Sequence, residues 1–299
     1  MEIHNYSFKK LIRGVTYAAI CAAGMAISNV ASAQMSGNYT IDKGSAASAT
    51  NFKSFDAAVD ALRGITRSDG GPSLGGGVNG AVTINVVANS GPYTEKITIP
   101  SISGASASNT ITFNGNGETI QASGTSGARH VIWLNGADRI TLQDLHIKST
   151  NSTYGWGVRL SSNADYNVIE DCDVDITSVT ASSYSANLYN SGGIIMSNSS
   201  AYTYGGSTRG YNGKYNVFQN NYIHGRTSGY GMAVGICVSG PSTTGYLQYN
   251  EVLNNEVHAF RYYGIYHYYS SGEIFDGNEI HRTGMSQFSA YYFYGIYNS

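Results

Sequence analysis

Three histidines, His224, His258 and His281, each directly follow a copy of a repeated heptad, and Glu256 and Glu279 stand two residues ahead of the last two. Residues two apart in an extended chain share a face. Stacked heptads would therefore set a histidine column beside an acidic one. Written in full, one column reads His146, Asp173, Tyr222, Glu256, Glu279, and the other reads Lys148, Asp175, His224, His258, His281. Imidazole beside carboxylate suits metal binding, or acid–base attack on a sugar polymer lying along the columns. A solvated polar sheet face would carry the same residues. Asp173 and Asp175 also invite calcium, but Asp171 falls on a bend, and calcium takes roughly six to eight oxygens. No resident cofactor is expected, with calcium the weaker candidate.

A second chemistry is aromatic. Nine of the 25 tyrosines fall in the last 38 residues. Tyr266 and Tyr297 follow the equivalent residues Ile265 and Ile296, and Trp133 holds the same place further up the chain. With Tyr268 they would form a ladder of exposed rings on which sugar faces could stack. Cross-strand packing that only stabilises a sheet is the alternative.

The element that must position both sets is the heptad itself. Residues 217–223 (Val-Phe-Gln-Asn-Asn-Tyr-Ile) return at 251–257 and 274–280, with looser copies at 141–147 and 168–174. A second series runs Val131-Ile132, Gly157-Val158, Gly193-Ile194, Gly235-Ile236, Gly264-Ile265 and Gly295-Ile296. Asn255 to Ile265 is 10 residues and Ile265 to Asn278 is 13, which gives a bare coil of 23. Longer gaps are insertions, at residues 177–191 and 197–213. Within the heptad, Leu142, Ile169, Phe218, Val252 and Phe275 point inward, as do Ile147, Val174, Ile223, Val257 and Ile280. Asp144, Asp171, Asn220, Asn254 and Gly277 lie between them, and those types tolerate a left-handed bend. Asn221, Asn255 and Asn278 follow the bend and should stack inside as an amide ladder. A repeat of this kind specifies an all-β fold: a right-handed, single-stranded parallel β-helix.

Upstream, Ser54 is an N-cap, Gly64 a left-handed stop, and Phe55, Ala58, Val59 and Leu62 form one stripe of a short helix. That helix should cap the first coil, since an open strand stack needs covering. The segment Ser54-Phe55, then Ile84-Asn85-Val86, then Gly91-Pro92-Tyr93-Thr94-Glu95-Lys96-Ile97 resembles the opening coil of pectin methylesterases and other pectin-lyase-like proteins. The heptads resemble the parallel β-helix repeats of that superfamily. The resemblance implies the fold and is nearly silent on function, because this scaffold carries lyases, hydrolases, esterases and binding proteins alike. It does not extend to catalytic motifs: Gln143-Asp144 is followed by Leu145-His146 rather than the esterases' Thr-Leu, and the polygalacturonase Gly-His-Gly pattern is missing.

Composition bounds the rest. Lys9, Lys10 and Arg13, the apolar run 15–27 and Ala31-Ser32-Ala33 read as a bacterial secretory signal over residues 1–33. The expected protein is then secreted or held at the cell surface. Without that leader 18 acidic and 14 basic residues remain, a net charge of about −4. No basic run suggests nucleic acid, and no later stretch is long and apolar enough to span a membrane. Cys172 and Cys237 are read as unpaired, partly buried thiols, with a disulfide between them as the alternative. The expected organisation is a loosely held N-terminal segment and capping helix over 34–80, then the β-helix over 81–299. Further coils or another domain are expected to continue its C-terminal end. The functional expectation is an adhesive or carbohydrate-binding protein. The alternatives are a polysaccharide lyase or glycoside hydrolase acting on a polyuronide-like polymer, and a structural stalk.

Overall fold

Each heptad folds as strand, one left-handed residue, strand. Asp144, Asp171, Asn220, Asn254 and Gly277 have φ of 49°, 53°, 55°, 53° and 64°, a region open to glycine and, among other residues, most readily to Asn and Asp. The computed structural model describes residues 34–243, 246–287 and 293–299. The leader expected at 1–33 lies outside the described residues, as do Tyr291 and Tyr292. The described strands form three parallel sheets of nine, seven and seven strands, in which successive coils are neighbours. This is the single-stranded right-handed β-helix that the repeat specified.

The first sheet carries the strand before the bend (Val217–Gln219, for example) and the second carries the strand after it (Tyr222–His224). The third carries the glycine series, as in Met232–Ser239. Register is one residue to one residue: Phe218 faces Val252, Ile223 faces Val257 and His224 faces His258. Inward residues such as Phe218, Ile223, Val252 and Val257 are fully buried. Asn221 and Asn255 join them inside. Each amide Oδ1 accepts from the coil before it: Asn221 Nδ2 donates to Asn255 Oδ1 at 2.9 Å, and Asn255 Nδ2 donates to Asn278 Oδ1 at 3.0 Å. The ladder thus meets the rule that buried polar groups be paired.

The glycine series has a steric cause. A Cβ on Gly193 would run into Ile223 and the Gly235 carbonyl, and one on Gly235 into Val257 and the Gly264 carbonyl. The third sheet approaches the second too closely there for any side chain.

The helix Phe55–Arg63 closes the N-terminal end. Ser54 Oγ accepts from the Ala57 N–H at 3.0 Å, and Gly64 terminates it at φ 69°. Glu95 adds a carboxylate at the helix N-terminus, accepting from Phe55 N at 3.0 Å and Asp56 N at 2.9 Å. The Tyr-Thr-Glu motif therefore anchors the cap. One boundary is corrected. Residues 34–50 are not loosely held: Met35–Ile41 is a strand, paired in parallel with Val78–Val86, so the β-structure begins well before residue 81. Its Met35 and Ile41 are fully buried and lock it to the first coil.

The two insertions fold back over the outer face of the third sheet. Tyr184 and Leu188 from one, and Tyr204 from the other, pack on Trp156, Ile195, Val234, Tyr262 and Tyr266. A second apolar layer thereby forms outside the coil.

Candidate functional site

The two polar columns exist as spaced. His146, Asp173, Tyr222, Glu256 and Glu279 are register partners on adjacent strands, as are Lys148, Asp175, His224, His258 and His281. They line the outer face of the second sheet, where Tyr222 is 37% exposed. The side chains mostly satisfy one another. His224 Nε2 contacts Asp173 at 2.9 Å, His281 Nε2 contacts Glu256 at 3.1 Å, and Lys148 Nζ contacts Asp175 at 2.6 Å. His258 lies 3.3 Å from the Tyr222 hydroxyl and stacks on His281 with centroids 4.5 Å apart. Asp175 also accepts from the Thr177 N–H at 2.8 Å. Burial alone would raise its pKa, but hydrogen bonds from His146, Lys148 and Thr177 outweigh that and hold it well below the usual carboxylate range. A general acid needs the opposite shift. Asp173 and Asp175 are thus engaged by basic groups, and among the described residues no three His, Cys, Asp or Glu side chains converge as a metal site.

The expected ladder of exposed rings needs correction. In the outer column of the third sheet, Arg159, Ile195 and Cys237 separate Trp133 from Tyr266. Tyr266 is 4% exposed beneath the insertions. Tyr297 stacks on it at 5.1 Å with planes 2° apart, so the two rings cover each other's faces. Arg159 lies 4.4 Å over Trp133, whose indole N–H donates to Ser161 Oγ at 2.9 Å. Tyr266 thus loses its free face to the insertions, while Arg159 covers one face of Trp133 and Tyr266 one face of Tyr297. Cys172 and Cys237 are both buried and free; burial pushes the Cys172 thiol up to about 12.

Exposed aromatics gather instead at the corner where the third sheet turns into the first. Arg139, Tyr166, Tyr215 and Tyr249 occupy this corner in successive coils, at φ of 61°, 57°, 54° and 53°. The left-handed backbone turns each side chain outward, while the next residue points in. Asn167, Asn216 and Asn250 are fully buried and form a second amide ladder, with Asn167 Nδ2 donating to Asn216 at 3.1 Å and Asn216 Nδ2 to Asn250 at 3.0 Å. Arg139 lies 3.8 Å over Tyr166, Tyr166 and Tyr215 stack at 4.8 Å and Tyr215 and Tyr249 at 5.3 Å, so the strip presents ring edges and hydroxyls rather than free faces, with all three tyrosines about 40% exposed. This strip was readable. Tyr-Asn stands directly ahead of three heptads, at 166, 215 and 249, a period just outside the heptad itself.

Next to Tyr249, where Gly272 abuts its ring, is a cleft of about 400 Å³ walled by Tyr246, Tyr268 and Tyr269, with Thr243, Ser270 and Ser271 supplying hydroxyls. Of the four expected substrate-binding aromatics, Tyr268 is the one that lines it. Lys214 covers one face of Tyr246 at 4.6 Å and Arg209 one face of Tyr269 at 5.1 Å. Concave, aromatic and rich in hydroxyls, the cleft can hold a pyranose: ring CH groups against tyrosine, sugar hydroxyls to serine and threonine.

Among the described residues no helix is long and apolar enough to cross a membrane. No curated protein matches the chain. Among solved structures, the crystal structure of Escherichia coli YbhC is similar over 81% of this chain and 64% of that one, at 13% identity and a TM-score of 0.44. The chain therefore spans a little under two thirds of that protein's length. Residues 130–298 match the family described as the right handed beta helix region. That is more than half of the 299 residues, and the chain belongs to the right-handed β-helix family.

Proposed function

We propose that this protein is exported and binds extracellular polysaccharide, as a secreted or cell-surface adhesive protein, through the corner between the third and first sheets. The observation that carries the reading is the tyrosine and hydroxyl cleft, which lies beside the exposed edges of the Tyr166, Tyr215 and Tyr249 strip where Gly272 abuts Tyr249. A polymer lying along the coil axis would meet one rung per strand spacing, about 4.8 Å, and end against the cleft. Tyr246, Tyr268 and Tyr269 would carry most of the affinity, as aromatics that a ligand covers do at binding sites. A glycan array tests it: Tyr269→Ala together with Tyr268→Ala should weaken a bound glycan by about tenfold or more. Unchanged affinity in that double variant would sink the proposal.

A second reading rests on the histidine and acid block, in which Glu256 and Glu279 both lie near His281 Nε2, at 3.1 and 3.8 Å. Here the protein is a lyase or hydrolase acting on a polyuronide-like polymer. A reducing-sugar assay run beside the array separates the two. Turnover that His258→Ala abolishes, while the tyrosine variants leave it intact, would favour the enzyme.

A further inference from the structure

Behind the cleft wall lies an ion pair that the binding surface itself does not use. His267 is on a strand of the third sheet, Phe260–Tyr268, with its ring turned inward and its side chain 9% exposed. Nδ1 is 2.7 Å from Asn298 Oδ1, and Nε2 is 2.7 Å from Ser270 Oγ. Nε2 is also 3.3 Å from the carboxylate of Glu273, whose side chain is 1% exposed. Among the described residues neither Glu273 oxygen has a hydrogen-bond partner, so the imidazolium is what offsets this buried charge. The other groups against His267 are uncharged: Phe275 at 5.3 Å between ring centroids, Ser270, and the register neighbours Val238 and Asn298. Glu273 is thus the titratable group that faces it among the described residues.

Ser270 connects the pair to the cleft. It lines the cleft beside Tyr268, Tyr269 and Ser271, and Glu273 follows at the end of the same turn. We propose that the His267–Glu273 pair is a proton-dependent latch on the tyrosine cleft, holding the 268–273 turn closed while His267 is protonated. This deepens the polysaccharide reading of the cleft and rests on it for the identity of the ligand. With both ring nitrogens protonated, His267 donates to Asn298 and toward Ser270 and Glu273 together. Loss of the proton leaves a buried carboxylate facing a ring lone pair, an arrangement that strongly destabilises a buried pair. The carboxylate then moves to water, and the turn that carries Tyr269, Ser270 and Ser271 goes with it. Burial by itself would disfavour the imidazolium, but the contacts with Glu273 and Asn298 outweigh it and raise His267 above its ordinary value of 6.5. The release therefore falls on the alkaline side of the usual histidine range.

Two measurements on the full chain decide it. The first is hydrogen exchange of the 268–273 segment across a pH series, corrected for the intrinsic pH dependence of exchange. Protection should be high in mild acid and fall as pH rises through the His267 titration. In Glu273→Gln the buried pair carries no charge to strand, so protection should stay flat with pH. In Ser270→Ala the pair remains but its link to the cleft is cut, so the step at Tyr269 and Ser271 should shrink. The second is affinity for the strongest array glycan at about pH 5.5 and about pH 8.5, on either side of the histidine range. Wild type should lose about tenfold, the equivalent of one pKa unit of coupling, and Glu273→Gln should lose none. Flat protection in wild type overturns the latch. PH-independent affinity in a protein that does bind glycan also overturns the latch and leaves the binding surface standing. If no glycan binds at either pH, the polysaccharide reading fails, and the exchange arm alone decides the latch.

Discussion

Inside the coil, the asparagine at 255 serves several partners at once. Its Oδ1 accepts from Asn221 N at 3.1 Å and Asn221 Nδ2 at 2.9 Å, and its Nδ2 donates to Phe218 O at 2.8 Å and to Asn278 Oδ1 at 3.0 Å. Replacing it alone strands donors and acceptors on both sides. A stranded buried polar group is destabilising by about 1–3 kcal/mol, so Asn255→Leu should lower stability by roughly 3 kcal/mol or more in chemical denaturation. The chain contains its own control, because Leu145 and Cys172 hold the same position and are buried. Apolar packing is therefore compatible with this site when the neighbours match it. Changing Asn221, Asn255 and Asn278 together to leucine should be less destabilising than three times the single change, since fewer orphaned groups remain per substitution. Additive losses would show that each amide acts independently of the ladder.

At the scale of elements, what recurs was legible and what occurs once was not. The bend at Asp144, Asp171, Asn220, Asn254 and Gly277, the inward amides and both polar columns came from aligning short copies, because stacked coils force equivalent residues into one environment. The insertions at 177–191 and 197–213 have no second copy, so no period indicates where they lie. By covering Tyr266 they reversed the expectation for the third sheet. The Tyr-Asn corner is periodic too, but it lies just outside the heptad. Arg261 holds the first insertion in place. It is fully buried, and its guanidinium donates to the carbonyls of Ser183, Tyr184, Ala186 and Asn187. Arg261→Met keeps the packed stem and removes every donor. Limited proteolysis should then cut within 183–187 about tenfold faster or more, as befits the loss of charged hydrogen bonds worth about 1.5–3 kcal/mol each. Lysine should not rescue it, because one ammonium cannot span the fork that reaches four carbonyls. Equal cleavage of wild type and Arg261→Met would mean that the apolar layer alone retains the insertion.

For the whole molecule, two buried histidines set opposite limits on pH. His130 is 4% exposed, 5.3 Å from Trp133, and its Nδ1 has no hydrogen-bond partner among the described residues. Burial, reinforced by the nearby charges of Lys96 and Arg159, lowers its pKa from 6.5 to about 3. An unfolded chain takes up this proton below 6.5 and the folded chain does not until about 3, so stability is complete above 6.5 and falls as the solution is acidified. Each pH unit in that window removes about 1.4 kcal/mol at most. His267 has the opposite sign: its raised pKa contributes stability below 6.5 that is lost as pH rises through the folded value. Asp175, held below its ordinary 3.8, adds to the acid limb only under that value. The stability curve should therefore peak near neutrality. His130→Phe removes the acid-side proton uptake while keeping a ring in the same apolar pocket. Thermal unfolding followed from about pH 7 to about pH 4.5 should show wild type losing up to roughly 3 kcal/mol, with the phenylalanine variant losing clearly less. Parallel curves for the two proteins would show that His130 does not supply the acid limb in this window, which lies above the range where Asp175 contributes.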